Sequence, residues 1–121
     1  MKKVCIAIIV MFAMVAVFQP QEAKSQQSKS SKEYIADLSS KDEGTIVRAA
    51  DWLGKEKEEE ALPRLKNLLQ YDIRPNVRLH SAMAMGYIGE TSTIDSLNDR
   101  LLVEQNSDVR YTILLSLTRI G

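Results

Sequence analysis

At 121 residues the chain is long enough for one small domain, and its 45% hydrophobic and 26% charged residues exclude global disorder. The formal net charge of zero excludes nucleic-acid recognition through a basic stripe or a high isoelectric point.

In chain order, Lys2 and Lys3 precede an unbroken apolar run from Val4 to Phe18, which Gln19, Pro20, Gln21 and Glu22 then end. Fifteen apolar residues are short for a membrane span, which needs about 20. Ala23 and Ser25 put small side chains two apart, as signal peptidase requires. Residues 1–25 therefore read as a secretory signal peptide cut after Ser25, with a periplasmic or extracellular mature protein; the competing reading is an uncleaved anchor. Cys5, the sole cysteine, lies inside the run, so the mature chain holds no disulfide and no thiolate. Cleavage removes three lysines and one glutamate and leaves a net charge near −2, unfavourable for anionic headgroups.

Residues 26–32 read QQSKSSK, a polar tether, and residues 33–121 form the domain. There the apolar positions follow helical spacing. The expected helices are a short one near Lys32–Leu38, then Glu43–Gly54, Glu59–Leu69, Asn76–Ile88, Ser92–Val103 and Ser107–Ile120. Pro63 suits a first helical turn, Ser92 with Asp95 resembles a cap, Gly89 and Gly121 suit helix ends, and Asp72 to Asn76 with Pro75 forces a break.

The chain also aligns with itself. TIVRAADWLGKE from Thr45, VRLHSAMAMGYI from Val77 and VRYTILLSLTRI from Val109 superpose at an offset of 32 residues without gaps. Equivalent columns hold Ala50, Ala82 and Leu114, then Leu53, Met85 and Leu117, and Gly54 matches Gly86. In the second half of the unit Leu62 matches Ile94, Leu65 matches Leu97, and Leu69 matches Leu101. Two helices in 32 residues predict an all-α fold, an α-solenoid of antiparallel helix pairs with about two and a half repeats.

The second unit resembles the HEAT-like repeats of phycobilisome-lyase-type proteins and many bacterial scaffolds. Val77, Arg78, Ala82, Ala84, Met85, Gly86, Ile88, Gly89, Ile94, Leu97 and Leu101 carry the pattern, and Asp108, Val109, Arg110, Leu117, Ile120 and Gly121 repeat it in the third unit. The first unit departs, with Thr45 and Ile46 for Val-Arg and Glu56 where Ile88 stands. The resemblance covers Thr45 to Gly121 and implies the solenoid fold. For function it implies a scaffold, an adaptor or an occasional enzyme.

Individual residues narrow the expectation. His80, the only histidine, shares a column with Arg48 and Thr112 and reads as solvent-facing. Trp52 stands where the other units carry Ala84 and Ser116, so its indole fills an end gap or anchors a partner. The KEKEEE run from Lys55 to Glu60 reads as a solvated turn, and Arg78 and Arg110 are expected to reach acids or carbonyls of the neighbouring helix pair. The last helix is apolar on most of its circumference. Its Tyr111, Leu114, Leu115 and Ile120, with Trp52, are the candidate protein-binding residues, for a second copy, another protein or further repeats. With one histidine, no mature cysteine and no acid pair at catalytic spacing, the expectation is no catalytic, cofactor-binding or metal residue and no enzyme. The function expected is a non-catalytic, exported protein–protein interaction scaffold, with a membrane-tethered element or a lyase-like enzyme subunit as alternatives.

Overall fold

The computed structural model describes residues 29–121, so the expected signal peptide, residues 1–25, and the first three residues of the expected tether lie outside the described residues. Six helices follow: α1 Ser31–Asp37, α2 Glu43–Lys55, α3 Leu62–Tyr71, α4 Pro75–Ile88, α5 Ile94–Val103 and α6 Ser107–Ile120. Among the described residues there is no strand, and the all-α solenoid is what the periodicity predicts. Helices α2, α4 and α6 lie side by side as one layer, α3 packs on α4, and α5 packs on α6. The short α1 closes the end of the layer against α2.

The starts and stops have local causes. Ser30 caps α1 in a capping box: its hydroxyl accepts from the Glu33 amide at 3.4 Å, and the Glu33 carboxylate accepts from the Ser30 amide at 3.1 Å. Ser31 and Lys32, assigned above to the tether, are thus the first turn of a helix. Asp42 caps α2 by accepting from the Thr45 amide at 2.9 Å, and the Asn106 side-chain Oδ1 caps α6 by accepting from the amides of Asp108 and Val109. The Ser92–Asp95 cap does not form. Helix α5 is entered through a 3₁₀ turn, Thr91–Thr93, in which the buried Thr93 hydroxyl donates to the Glu90 carbonyl at 2.7 Å. The equivalent turn Glu59–Ala61 leads into α3, with Pro63 in its first helical turn, where its missing N–H leaves no gap.

Helix α4 ends on Gly89 in the left-handed region, φ +78°. One repeat earlier the same position is Lys57, φ +55°, which closes the KEKEEE turn by donating its amide to the Gly54 carbonyl. A Cβ in this region crowds the following carbonyl, a cost of about 1–2 kcal/mol that glycine avoids. Lys57→Gly is therefore expected to stabilise the protein by about 0.5–1 kcal/mol, the remainder offset by the freer unfolded chain, as read from the urea midpoint.

The repeat columns become the core. Leu53 and Met85 are buried between the layers, as are Ala50 and Ala82, Leu65 and Leu97, and Val77 and Val109. Leu114 breaks its column, for it stands half-exposed where Ala50 and Ala82 are fully covered.

Candidate functional site

The geometry that positions every side chain on the α2–α4–α6 layer is a seam of small residues. A Cβ added at Gly54 would lie 2.8 Å from the Ala84 Cα, and one added at Gly86 would lie 2.6 Å from the Ser116 Oγ. Each helix thus lays its glycine on the small residue of the next. The Ser116 hydroxyl donates across the seam to the Ala82 carbonyl at 2.7 Å.

At the α1 end the small-residue column holds Trp52, where no preceding glycine needs to be met. Tyr34 of α1 covers it instead, the rings stacked at 4.2 Å and 15°. Trp52 is half-buried and does fill the end gap. Beside the stack opens a cleft of about 470 Å³, lined by Lys29, Tyr34, Arg48, Asp51, Trp52 and Lys55. Lys29 pairs with Asp37 at 2.7 Å and stands 5.5 Å from the centre of the Tyr34 ring.

The same seam brings together residues that sequence spacing keeps apart. His80 is not a free surface side chain: it is half-buried, and its Nδ1 lies 2.7 Å from the Asp51 Oδ1 across the α2–α4 contact. An ionised carboxylate only accepts, so Nδ1 carries the proton and donates it. In the neutral ring Nε2 is then left as a base. A base held in one tautomer by a carboxylate has the construction of a proton-transfer pair, and Asp51 sits on the wall of the cleft. Among the described residues no group of three or more His, Cys, Asp or Glu is placed to hold a metal ion.

Arg78 and Arg110 do reach a neighbouring acid and carbonyls. Arg78 forks onto buried Glu104 at 2.7 and 2.9 Å and donates to the Asp72 carbonyl at 2.9 Å. Arg110 donates to the Glu104 carbonyl at 3.0 Å. Arg100 adds a third charged donor to Glu104 at 3.1 Å. Burial alone would raise the Glu104 carboxyl. The hydrogen bonds from Arg78, the Asn106 amide and Arg100 outweigh it and hold the group at about 2. This cluster locks the repeats together.

Of the apolar residues on α6, Tyr111, Leu114 and Leu115 are 65%, 49% and 42% exposed, whereas Ile120 packs against the core and does not share their face. Their columns explain the patch. Position for position, Tyr111, Leu114, Leu115 and Thr118 stand where α4 carries Leu79, Ala82, Met83 and Gly86. Thr118 in the glycine column bars another helix from docking on α6 as closely as α6 docks on α4. Helix-end apolar side chains that periodicity did not single out, Tyr71, Ile73, Leu102 and Val103, are also exposed.

Comparison with known proteins adds the rest. The HEAT repeats family matches residues 32–118. The chain is 29% identical over 114 residues to deoxyhypusine hydroxylase from Saccharomyces cerevisiae, a match over 92% of this chain and 35% of that protein. It is 27% identical to epoxyqueuosine reductase from Bacillus subtilis, with a TM-score of 0.62 over 64% of this chain and 21% of that one. Epoxyqueuosine reductase with a modified tRNA stem loop aligns with a TM-score of 0.61 and 28% identity over 63% of this chain and 20% of that one. The chain thus spans about a third of the curated relative. These relatives are enzymes, and they overturn the expectation of a non-catalytic scaffold and of a chain that is no enzyme. That expectation rested on nucleophiles and metal ligands read along the chain, which say nothing of side chains that meet only between repeats.

Proposed function

The chain belongs to the HEAT repeat family, and from that premise we propose that it works as part of an enzyme, holding a reactant in the cleft beside the Tyr34–Trp52 stack while the Asp51–His80 pair moves a proton at its edge. The observation that carries this reading is the 2.7 Å contact that locks the imidazole of one repeat onto a carboxylate of the preceding one, at the wall of the cleft. The hydroxylase and the reductase among the relatives support an enzyme that adds oxygen with an oxidant, or removes it with a reductant, supplied by another part of that enzyme, this chain's Asp51–His80 pair supplying only the proton step.

The test compares wild-type cells with cells lacking the gene, by untargeted mass spectrometry of peptides and nucleosides. A gain or loss of one oxygen atom should depend on the gene. Wild-type chain should restore it. His80→Ala should restore at least a hundredfold less, the scale of a lost general base, with helical circular dichroism unchanged. Full restoration by His80→Ala, or no gene-dependent oxygen change, would reject the reading.

Two further proposals concern the ends of the chain. Residues 1–25 direct export, as Lys2, Lys3 and the apolar run to Phe18 suggest; an exported protein whose intact mass retains them would count against this. The face of Tyr111, Leu114 and Leu115 seats another protein or a second copy. Light scattering at increasing concentration, with Leu114→Glu as the control, tests the second copy.

A further inference from the structure

Resting on the reading that this cleft holds a reactant, we infer that the reactant is an extended acidic peptide segment, whose carboxylates engage Arg48 and Lys55 on either side of Trp52.

The charges in the cleft are unevenly satisfied. Its acids are taken: Asp37 holds Lys29 at 2.7 Å, and Asp51 holds His80 at 2.7 Å. Two of its three cations are not. Among the described residues neither Arg48 nor Lys55 has a carboxylate within ion-pair distance, and Arg48 makes only a long 3.4 Å hydrogen bond to the Thr45 hydroxyl. Asp42, about one and a half turns before Arg48 at the entrance to α2, is occupied as the cap of that helix, accepting from both the amide and the hydroxyl of Thr45. The cleft is therefore electropositive although the whole chain is neutral.

Spacing then selects the ligand. Arg48, Trp52 and Lys55 stand at i, i+4 and i+7, one stripe of α2. Seven residues of helix rise about 10 Å. In an extended peptide, at about 3.3 Å per residue, two acids three positions apart span the same 10 Å. A peptide crossing the stripe meets both and lays its central residues on the indole, beside the Asp51–His80 pair.

Trp52 is the only tryptophan in the chain, so its fluorescence reports the site directly. The full chain is titrated with a blocked tetrapeptide bearing glutamate at both ends, with the lysine counterpart, and with inorganic phosphate. Saturable quenching by the glutamate peptide is expected, weakening as salt rises, with no saturable response to the lysine peptide. Arg48→Glu and Lys55→Glu should each weaken binding on the order of tenfold, a loss of about 1.4 kcal/mol, with circular dichroism unchanged. Thr118→Ala, on α6 at the far end of the layer from the cleft, should leave it within about twofold. No response to the glutamate peptide, an equal response to both peptides, insensitivity to the two charge reversals, or full competition by phosphate alone would overturn the inference. If the peptide fails while the His80-dependent oxygen change persists, the acidic-peptide inference falls and the enzyme reading stands. If the peptide binds and no oxygen change depends on the gene, the enzyme reading falls instead.

Discussion

Replacing Glu104 with alanine is expected to lower stability by about 3–5 kcal/mol, because it strands the buried Arg78 and the half-buried Arg100 guanidinium groups without their shared counter-charge. The urea midpoint at neutral pH measures the loss. Replacing the bidentate pair together, Arg78→Met with Glu104→Leu, should recover part of it, since an apolar pair avoids the desolvation cost of those two ions and leaves only the half-buried Arg100 without its carboxylate. The pH dependence follows from the same cluster. The folded carboxyl titrates at about 2 against an ordinary value of 4.5, so the folded state favours the charged form. The contribution of Glu104, on the order of 3 kcal/mol, is fully present above about 4.5 and drains away as pH falls toward 2. Wild type and Glu104→Gln should therefore converge in stability across that acid window. A difference that stays constant from pH 6 to pH 2 would remove the carboxylate from this role.

Gly86→Ala should destabilise by about 1–3 kcal/mol, even though alanine favours a helix interior over glycine by about 1 kcal/mol. The new Cβ would meet the Ser116 Oγ at 2.6 Å, its Cβ at 2.8 Å and its Cα at 2.9 Å, so a side-chain rotation does not relieve the clash and α4 and α6 must part. Gly54→Ala meets the Ala84 Cα at 2.8 Å and should behave alike. Thr118, in the same column but exposed, supplies the control: Thr118→Ala should change stability by less than about 0.5 kcal/mol. Urea unfolding of the three variants distinguishes a seam set by contact from one set by helix propensity. A stabilised Gly54→Ala would mean that the α2–α4 contact tolerates wider spacing, and the Asp51–His80 contact across it would then not be held by packing.

The repeat was legible because each unit must bury the same faces, so Leu53, Met85 and Leu117, and Leu65 and Leu97, recur in register. Helix ends were legible where one residue type solves a backbone problem alone, as Pro63 and Gly89 do. Ser30 and Glu33 carried an equally plain capping box that the polar composition around them obscured. Lys57 aligned with Gly89 and so marked a left-handed residue, although lysine itself gives no such signal. Ile120 looked like part of the exposed face of α6 because its helix is apolar nearly all round; only packing shows which side meets α4.

The amino-acid sequence alone determined the helical class, the 32-residue repeat and the buried columns, since these depend on periodicity and on short-range backbone preference. Tertiary structure decided which residues meet between helices: Asp51 with His80, Trp52 with Tyr34, Arg78 with Glu104. These pairs lie 18 to 29 positions apart; the close approach that Gly54 permits sets the first of them, and the docking of α1 on the end of the layer sets the second. No local pattern encodes that distance, because it belongs to two helices at once.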